Sequence, residues 1–387
     1  MYNLIYSNWS KTEITNIKDV IRSNRYTMGK KVDEFEKKFS KYIGSKYSVM
    51  VNSGSSANLL ALNSLFFKKK NKLKRGDEII VPAISWSTTY SPMQQLGLKL
   101  KIVDVDLDTI NINFDKLKKA ITKKTKAICV VNILGLPCEL EKIKKLCKQK
   151  KILLFEDNCE SLGAEINGKK CGSFGDVSTH SFFYSHHICT MEGGMISTND
   201  HETYCILRSL RAHGWTRDLN FKNPLTKHDL KKTYELYNFI LPGYNVRPLE
   251  MSGALGLTQI KKIDNFIKIR RDNLKFFNSL FKDDERFIFP SNKHFSSSFS
   301  FPMIFKDTSK KKQLKFYEVM KKNKIDFRLI AGGCFTKQEY SRYFDYKIYN
   351  NLNNSIKIHK DGFVVGNAPI NLKNKISKLK KLFDKIK

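Results

Sequence analysis

The stretch that decides the fold spans residues 181–197 and has the sequence SFFYSHHICTMEGGMIS. Two adjacent histidines, His186 and His187, lie between two apolar segments, 176–183 and 193–199, that we predict to be strands. Two neighbouring histidines cannot easily bind one metal ion from a strand, and no third ligand is close in sequence. We therefore expect no metal site, which leaves a buried structural pair or a catalytic base.

Outward from this stretch, short apolar segments alternate with helical ones along most of the chain. Strands that are apolar throughout and alternate with helices are typical of a largely parallel sheet covered on both faces. Five further strands are predicted at 46–51, 77–82, 101–106, 126–133 and 152–158. Helices are predicted at 32–44, 55–67, 138–150 and 202–214, and a long helical stretch is predicted at 248–282.

The part of the chain beyond about residue 283 has mixed strand and helix signals. We therefore predict a large domain over 1–249 and a smaller C-terminal α+β domain over 250–387, linked by the long helix. The polar segment 220–232 is predicted to be a loop.

Composition narrows the class of protein. The 387 residues include eight cysteines, none of them in a CxxC pair, which fits a reducing cytosol and excludes zinc-ribbon and thioredoxin motifs. The N-terminus is too polar for a signal peptide, and the most apolar stretch, 127–137, is about half the length that spans a bilayer. We therefore predict a cytoplasmic protein with no membrane partner.

The net charge of +33 raises the question of nucleic-acid binding. The lysines are spread over many predicted helix faces, and no basic stripe interleaved with aromatic residues stands out. We therefore predict no nucleic-acid partner, although a basic surface would attract an anionic small substrate.

Several polar or aromatic residues follow predicted strands, where open α/β sheets place their ligands. Gly54, Ser55 and Ser56 open a helix and suit a phosphate, although a serine at a helix start is also an ordinary cap. Asp157 follows a strand and could pair with a protonated ring nitrogen or belong to a solvated loop. Trp86 could lie on an aromatic ring or pack in the core.

Together, these motifs resemble the pyridoxal-phosphate sugar aminotransferases of the DegT/DnrJ/EryC1/StrS group. The resemblance spans almost the whole chain. It rests on Gly-Ser-Ser at 54–56, Trp86, Asp-x-x-Glu at 157–160, Ser181, Glu-Gly-Gly at 192–194 and GYNVRP at 243–248. It implies the type I (aspartate-aminotransferase-like) fold, with a mostly parallel central sheet and a smaller C-terminal α+β domain, and it implies a homodimer with a shared active site.

The resemblance also locates one departure from the family pattern. In that family a lysine, which bonds covalently to the cofactor, lies five residues after the serine and six before the glutamate of Glu-Gly-Gly. Counting from Ser181 and from Glu192 leads to His186 and not to His187. This pattern is closest to a branch of the family that removes the C3 hydroxyl from GDP-4-keto-6-deoxy-D-mannose on the route to colitose.

The remaining roles are implied by the resemblance. Asp157 would pair with the pyridine nitrogen, Trp86 would stack on the ring, and Glu160 would bond near the 3′-oxygen of the cofactor. The phosphate would be held by Gly54, Ser55, Ser56 and Ser181. Asn245 of the partner subunit would join them. The sugar or diphosphate would contact His213, Arg217, Arg247 and, more weakly indicated, Arg328. Tyr26 and Thr27 would line the nucleotide-sugar entrance.

The resemblance implies that pyridoxamine phosphate is held noncovalently and regenerated from pyridoxal phosphate by L-glutamate, while His186 is the catalytic base. A second possibility is a nucleotide-sugar 4-aminotransferase, which needs the missing lysine. A third is a related dehydratase that uses an iron–sulfur cluster; only Cys334 lies beyond residue 205, so we expect neither a cluster nor a reductase partner. A fourth is an inactive relative that binds the cofactor or a nucleotide sugar.

Overall fold

The strands form one large sheet, one small sheet and a short hairpin. The structure is a computed structural model that describes residues 1–219, 221–226, 237–291 and 294–386. Its strands are β1 (Tyr47–Val51), β2 (Glu78–Pro82), β3 (Lys99–Val103), β4 (Thr125–Val131), β5 (Leu153–Asp157), β6 (Glu165–Ile166), β7 (Lys169–Lys170), β8 (Val177–Ser181), β9 (Gly194–Thr198), β10 (Phe287–Ile288), β11 (Ser300–Phe305), β12 (Phe327–Arg328), β13 (Tyr346–Ile348) and β14 (Gly362–Gly366).

The large sheet has the order β1-β9-β8-β5-β4-β2-β3-β13. Its pairs from β8 through β13 are parallel, whereas β9 runs antiparallel to both β1 and β8. Strands β5, β8 and β9 are buried along their whole length. The seven strands predicted from the sequence are therefore confirmed in a mostly parallel sheet, although the one expected at 101–106 lies at Lys99–Val103.

The helices within the described ranges are α1 (Lys11–Arg22), α2 (Lys30–Ile43), α3 (Gly54–Ser64), α4 (Ser87–Gln95), α5 (Phe114–Ala120), α6 (Leu140–Lys150), α7 (His201–Arg211), α8 (Glu250–Gln259), α9 (Ile263–Phe281), α10 (Lys310–Lys322), α11 (Asn353–Asp361) and α12 (Lys373–Asp384). Helices α2 to α7 pack against the large sheet, whereas α10 and α12 contribute to the core of the small-sheet region. Helix α2 buries Val32, Phe35 and Phe39, and it ends at Gly44 with a φ of 80°, the left-handed conformation that glycine adopts without strain.

The prediction of one long helix over 248–282 was wrong, because the chain turns between α8 and α9. The first of these helices is buried almost all round and packs against α2. A Cβ on Gly253 would lie 2.6 Å from the backbone nitrogen of Val32, and one on Gly256 would lie 2.4 Å from the Phe35 ring. Helix α9 is amphipathic instead and buries only one face. The chain therefore changes direction between the two helices.

The small sheet has the order β10-β11-β14-β12 and is antiparallel throughout. Its core is rich in phenylalanine, with stacked and edge-to-face rings such as Phe277, Phe281 and Phe301. Strand β13 returns from this region to the edge of the large sheet, and Tyr2 bridges to Ile325. A domain boundary at residues 249 and 250 stays a prediction.

Two further points concern the chain as a whole. No helix within the described ranges combines the length and the apolar character that a membrane span requires. The predicted loop at 220–232 lies outside the described residues at 220 and at 227–232.

Candidate active site

A buried carboxylate lies at the carboxyl end of β5, in the middle of the large sheet. Asp157 is 3% exposed, and its Oδ2 accepts hydrogen bonds from Asn58 Nδ2 at 3.0 Å and from Thr89 Oγ1 at 2.8 Å. Its Oδ1 accepts the backbone N–H of Cys159 at 3.1 Å. The Thr179 hydroxyl in turn donates to Asn58 Oδ1 at 2.6 Å, which fixes the amide so that its NH₂ faces the carboxylate.

Strand β8, which lies next to β5 in the sheet, ends beside the N-terminus of α3. Ser53 caps this helix by accepting the N–H of Ser56 at 3.1 Å, and the first-turn N–H groups of Gly54 and Ser55 have no partner within a helix. A Cβ on Gly54 would lie 2.5 Å from Cβ of Ser181, the last residue of β8. The absence of a side chain at Gly54 therefore lets two hydroxyl-bearing segments meet at one helix N-terminus, which suits an anion.

The two histidines follow directly, in a turn that separates β8 from β9. His186 N–H donates to the carbonyl of Phe183 at 2.9 Å, and its Nδ1 lies 3.3 Å from Ser185 Oγ. Burial, together with the charges of Arg328 and Arg270, lowers the pKa of His186 to about 3, so the imidazole is neutral at neutral pH. His187 is fully buried, and its Nε2 lies 3.2 Å from the carbonyl oxygen of Ser297.

An aromatic ring from the small-sheet region closes one side of this turn. The Phe299 ring centroid lies 5.2 Å from that of His186 and 5.7 Å from that of His187. The guanidinium carbon of Arg328 lies 5.6 Å from the same ring, and its NH2 lies 3.8 Å from Glu160 Oε1. Glu160 also accepts the N–H of Leu134 at 3.0 Å, and burial raises its pKa although Arg328 opposes this.

Trp86 lies at the open side of this region. It immediately precedes α4, and 52% of its surface is exposed, so the alternative that it packs in the core was wrong. The neighbouring Ser85 accepts the N–H of Gly332 at 3.1 Å through its carbonyl. An exposed indole beside a buried carboxylate network leaves a flat aromatic surface for a ligand ring to cover.

Three of the predicted substrate contacts form a separate cluster around Trp215. The rings of His213 and Trp215 are 5.2 Å apart, and the guanidinium carbons of Arg217 and Arg247 lie 5.3 and 5.8 Å from the Trp215 ring. Arg247 Nε also donates to Asn245 Oδ1 at 3.0 Å, with the exposed Asn245 side chain as the acceptor. The cluster is cationic and exposed in part, as a site for an anionic group requires.

The segment that carries Tyr26 and Thr27 pairs with the start of α8. Thr27 bridges to Leu249, and the N–H of Glu250 donates to the Tyr26 carbonyl at 3.0 Å. The Tyr26 ring is exposed, and its hydroxyl donates to Asn24 Oδ1 at 2.8 Å. No hydrogen bond or ring contact within the described ranges joins this segment to the histidine turn.

A statistical model of the DegT/DnrJ/EryC1/StrS aminotransferase family matches residues 8–374. The chain belongs to this family. GDP-4-keto-6-deoxy-D-mannose 3-dehydratase of Yersinia pseudotuberculosis is 48% identical over 380 residues, which cover 98% of this chain and 97% of that protein.

Two solved structures of relatives superpose over nearly the whole chain. One is GDP-4-keto-6-deoxymannose-3-dehydratase with a trapped PLP–glutamate geminal diamine, with a TM-score of 0.96, 47% identity and coverage of 100% of both chains. The other is a ColD variant in which a histidine is replaced by lysine and the preceding serine by asparagine. Its TM-score is 0.95 at 47% identity, with coverage of 98% of this chain and 100% of that one. The predicted family and its type I fold are thus confirmed.

The predicted site residues of this family member fall into three groups. Asp157, Glu160, Ser181, His186 and Arg328 meet at the carboxyl end of the large sheet, with Gly54, Ser55, Ser56 and Trp86 at its rim. His213, Arg217, Asn245 and Arg247 gather around Trp215, and Tyr26 and Thr27 lie beside α8.

Sequence reasoning missed several residues that this DegT/DnrJ/EryC1/StrS family member uses to build the first group. Asn58 and Thr89 orient the carboxylate of Asp157, and Phe299 and Arg270 lie against the histidine turn. The one available signal was Asn58, a polar residue on the otherwise apolar and buried face of α3.

Proposed function

We propose that this chain removes the C3 hydroxyl of GDP-4-keto-6-deoxy-D-mannose as a hydro-lyase, giving the 4-keto-3,6-dideoxy sugar. It uses pyridoxal 5′-phosphate, converted by L-glutamate into pyridoxamine 5′-phosphate and held without a covalent bond. The observation that carries this proposal is a histidine, His186, at the position where the resemblance places the lysine of the family's aminotransferases.

The assignment of that position to His186 has support from the relatives. In the ColD variant, a serine and the histidine that directly follows it are both replaced. In this chain, Ser185–His186 is the only serine followed directly by histidine. This match supports His186 as the histidine at that position, whereas His187 faces the Ser297 carbonyl.

The residues at the sheet edge fit the cofactor. The first-turn N–H groups of α3, together with the hydroxyls of Ser55, Ser56 and Ser181, would hold the phosphate, and Gly54 lets Ser181 approach this helix N-terminus. Asp157 would accept a hydrogen bond from the ring nitrogen, because three donors already fix both of its oxygens in place. When bound, the protonated ring would acidify the cofactor carbon that carries the amine, so that a base could take its proton and the electron pair left behind could expel the C3 hydroxyl.

His186 would handle the proton in this reaction. Its Nδ1 faces Ser185, which leaves Nε2 as the nitrogen that could take the proton from the amine-bearing carbon of the cofactor and then donate it to the departing C3 hydroxyl. A histidine cannot anchor the cofactor covalently as lysine does. The hydroxyl would leave as water, and the sugar would keep no amino group, because the nitrogen that glutamate supplied would be released by hydrolysis as ammonia.

The second cluster would bind the anionic end of the substrate. Arg217 and Arg247, both beside Trp215, present planar cations that match the oxygens of a diphosphate, and His213 lies on the same ring. Tyr26 and Thr27 would border the nucleotide. Arg328, which lies over Phe299 and beside Glu160, would contact the sugar nearer to His186.

We further propose a homodimer in which the two clusters combine across the interface. Asn245 of the partner subunit would then reach the cofactor phosphate, which agrees with the exposure of this side chain in the single chain. The exposed aromatic residues Phe183, Tyr184, Tyr237 and Phe239 provide apolar area for such an interface.

No iron–sulfur reductase is included in this proposal. Seven of the eight cysteines are buried, with Cys159 partly exposed, and no cluster of possible metal ligands was found within the described residues. A cluster of the usual kind needs four thiolates.

Mass spectrometry of the products tests the function. The chain is incubated with GDP-4-keto-6-deoxy-D-mannose, glutamate and pyridoxal phosphate. Loss of one oxygen at C3 with release of ammonia is expected. A 4-amino sugar would identify a transaminase. An unchanged sugar, together with an unchanged cofactor absorbance after glutamate alone, would identify an inactive binding protein.

A further inference from the structure

Arg270 is a buried cation that has no role in the function proposed above. It lies on α9 with 3% exposure, and its NH1 donates to the carbonyls of Asn367 at 2.6 Å and Phe299 at 3.1 Å. No ion pair to Arg270 occurs among the described residues, and burial lowers its pKa to about 9. Because a guanidinium without a carboxylate is costly to bury, its place at this point calls for a reason.

The backbone that Arg270 holds is strained and fixed from several sides. Ser298 has a φ of 41°, a left-handed conformation that is unfavourable for a residue other than glycine. Asn367 Nδ2 donates to the Ser298 carbonyl at 3.1 Å and to its hydroxyl at 2.9 Å. The N–H of Phe299 donates to the Leu134 carbonyl at 3.0 Å, so the Phe299 backbone is held by α9 through Arg270 and by the turn that follows β4.

The side chain presented by this strained segment is the ring that faces the two histidines. The Phe299 ring packs 5.2 Å from the His186 ring, and the Ser297 carbonyl lies 3.2 Å from His187 Nε2. The Phe299 carbonyl that Arg270 binds belongs to the same residue as that ring. A shift of this carbonyl would therefore move the surface against which the imidazole rests.

We propose that Arg270 is a positioning residue for His186, which acts by fixing the Phe299 backbone so that its ring sets the orientation of the imidazole. This inference rests on the proposed role of His186 as the base. The positive charge of Arg270 also lowers the pKa of His186 and of His187, and so helps to keep both rings neutral.

The first test is spectroscopic and needs neither cofactor nor substrate. The chain is labelled at the ε1 carbon of histidine, the His186 signal is assigned with His186→Asn, and spectra are recorded near neutral pH. In Arg270→Met, the His186 Hε1 shift is expected to move toward its value in the unfolded chain as the Phe299 ring current is lost. Phe299→Leu is expected to move it in the same direction.

Arg271→Met is the matched control. Arg271 is the next residue on α9 and also binds the neighbouring backbone, through Nε to the Ser296 carbonyl at 2.8 Å and NH2 to the Gly163 carbonyl at 3.1 Å. Its loss should leave the His186 signal in place. If Arg270→Met and Arg271→Met move this signal equally, or if neither moves it, the proposal is wrong.

The second test separates kcat from KM. Misplacing the base should lower kcat by up to about 100-fold while KM changes little. Arg270→Lys, which keeps the charge and can donate to one carbonyl, should recover part of kcat. If Arg270→Met does not fold, Arg270→Lys and Phe299→Leu decide the matter, since normal kcat in both would overturn the proposal. An expected spectrum in a chain without dehydratase activity would instead contradict the proposed function alone.

Discussion

A buried histidine to which no role in the candidate site is assigned gives the sharpest prediction about stability. His180 lies on β8, is fully buried, and packs edge-to-face on Phe39 with ring centroids 5.0 Å apart. Neither ring nitrogen has a hydrogen-bond partner among the described residues. Burial alone lowers the pKa of His180 from 6.5 to about 3.

The sign of the effect follows from where the proton binds first. Below pH 6.5 the unfolded chain takes up a proton on this histidine, whereas the folded chain does so only near pH 3. Stability is therefore complete above pH 6.5 and falls as the pH decreases toward 3. At about pH 5 the loss amounts to about 2 kcal/mol in the free energy of unfolding.

His180→Gln removes this titration and should reduce the stability difference between about pH 8 and about pH 5 by about 2 kcal/mol. Glu13 adds little at these pH values: hydrogen bonds from Lys262 and Ser10 overcome partial burial and lower its pKa to about 2, so it acts mainly below pH 4.5. Any shared background cancels between variant and parent.

The assay is equilibrium urea unfolding, followed by tryptophan fluorescence at both pH values, without cofactor and at one protein concentration. His201→Gln, at an exposed histidine on α7, is the matched control and should leave the difference unaltered. An equal pH dependence in the parent and His180→Gln would refute the reasoning that His180 is neutral because it is buried.

Three further predictions concern the cofactor site. His186→Lys should trap the cofactor in an adduct that borohydride reduces and should abolish dehydration; mass spectrometry checks both, and retained dehydration would mean that His186 is not the essential base. Asn58→Ala removes the 3.0 Å donor to Asp157 and should weaken cofactor binding about tenfold, as absorbance titration would measure; unchanged affinity would contradict its orienting role. Gly54→Ala places a Cβ 2.5 Å from that of Ser181 and should destabilise the chain by about 1–3 kcal/mol, which thermal unfolding would detect; an unchanged Tm would show that the segment can yield.

The sequence predicted those parts of the site that follow from local pattern. Asp157 and Ser181 end apolar segments, and parallel strands bring their carboxyl ends to one edge, so their proximity could be expected. The turn between α8 and α9 could not, because neither glycine nor proline lies at residues 260–262 and the helical pattern continues across the break.

The residues that support the histidine turn lie beyond the reach of such patterns. Phe299 is 113 positions from His186 and is part of a serine-rich stretch without periodicity. Arg270, in the sequence KIRRDN, resembles a solvated helix face, and only the folded backbone supplies the carbonyls that bind it. Long-range contacts of this kind depend on the assembled structure and leave no local signal.

Strand β13 has a consequence for how the protein is made. During synthesis, β3 emerges long before its outer neighbour at Tyr346–Ile348, so the sheet margin at Lys99–Val103 stays open until translation is nearly complete. An edge strand with unpaired backbone N–H and C=O groups can pair with a strand of another chain. Nascent or truncated forms ending before residue 346 are therefore exposed to self-association, and expression of a fragment covering 1–249 alone would need that margin blocked.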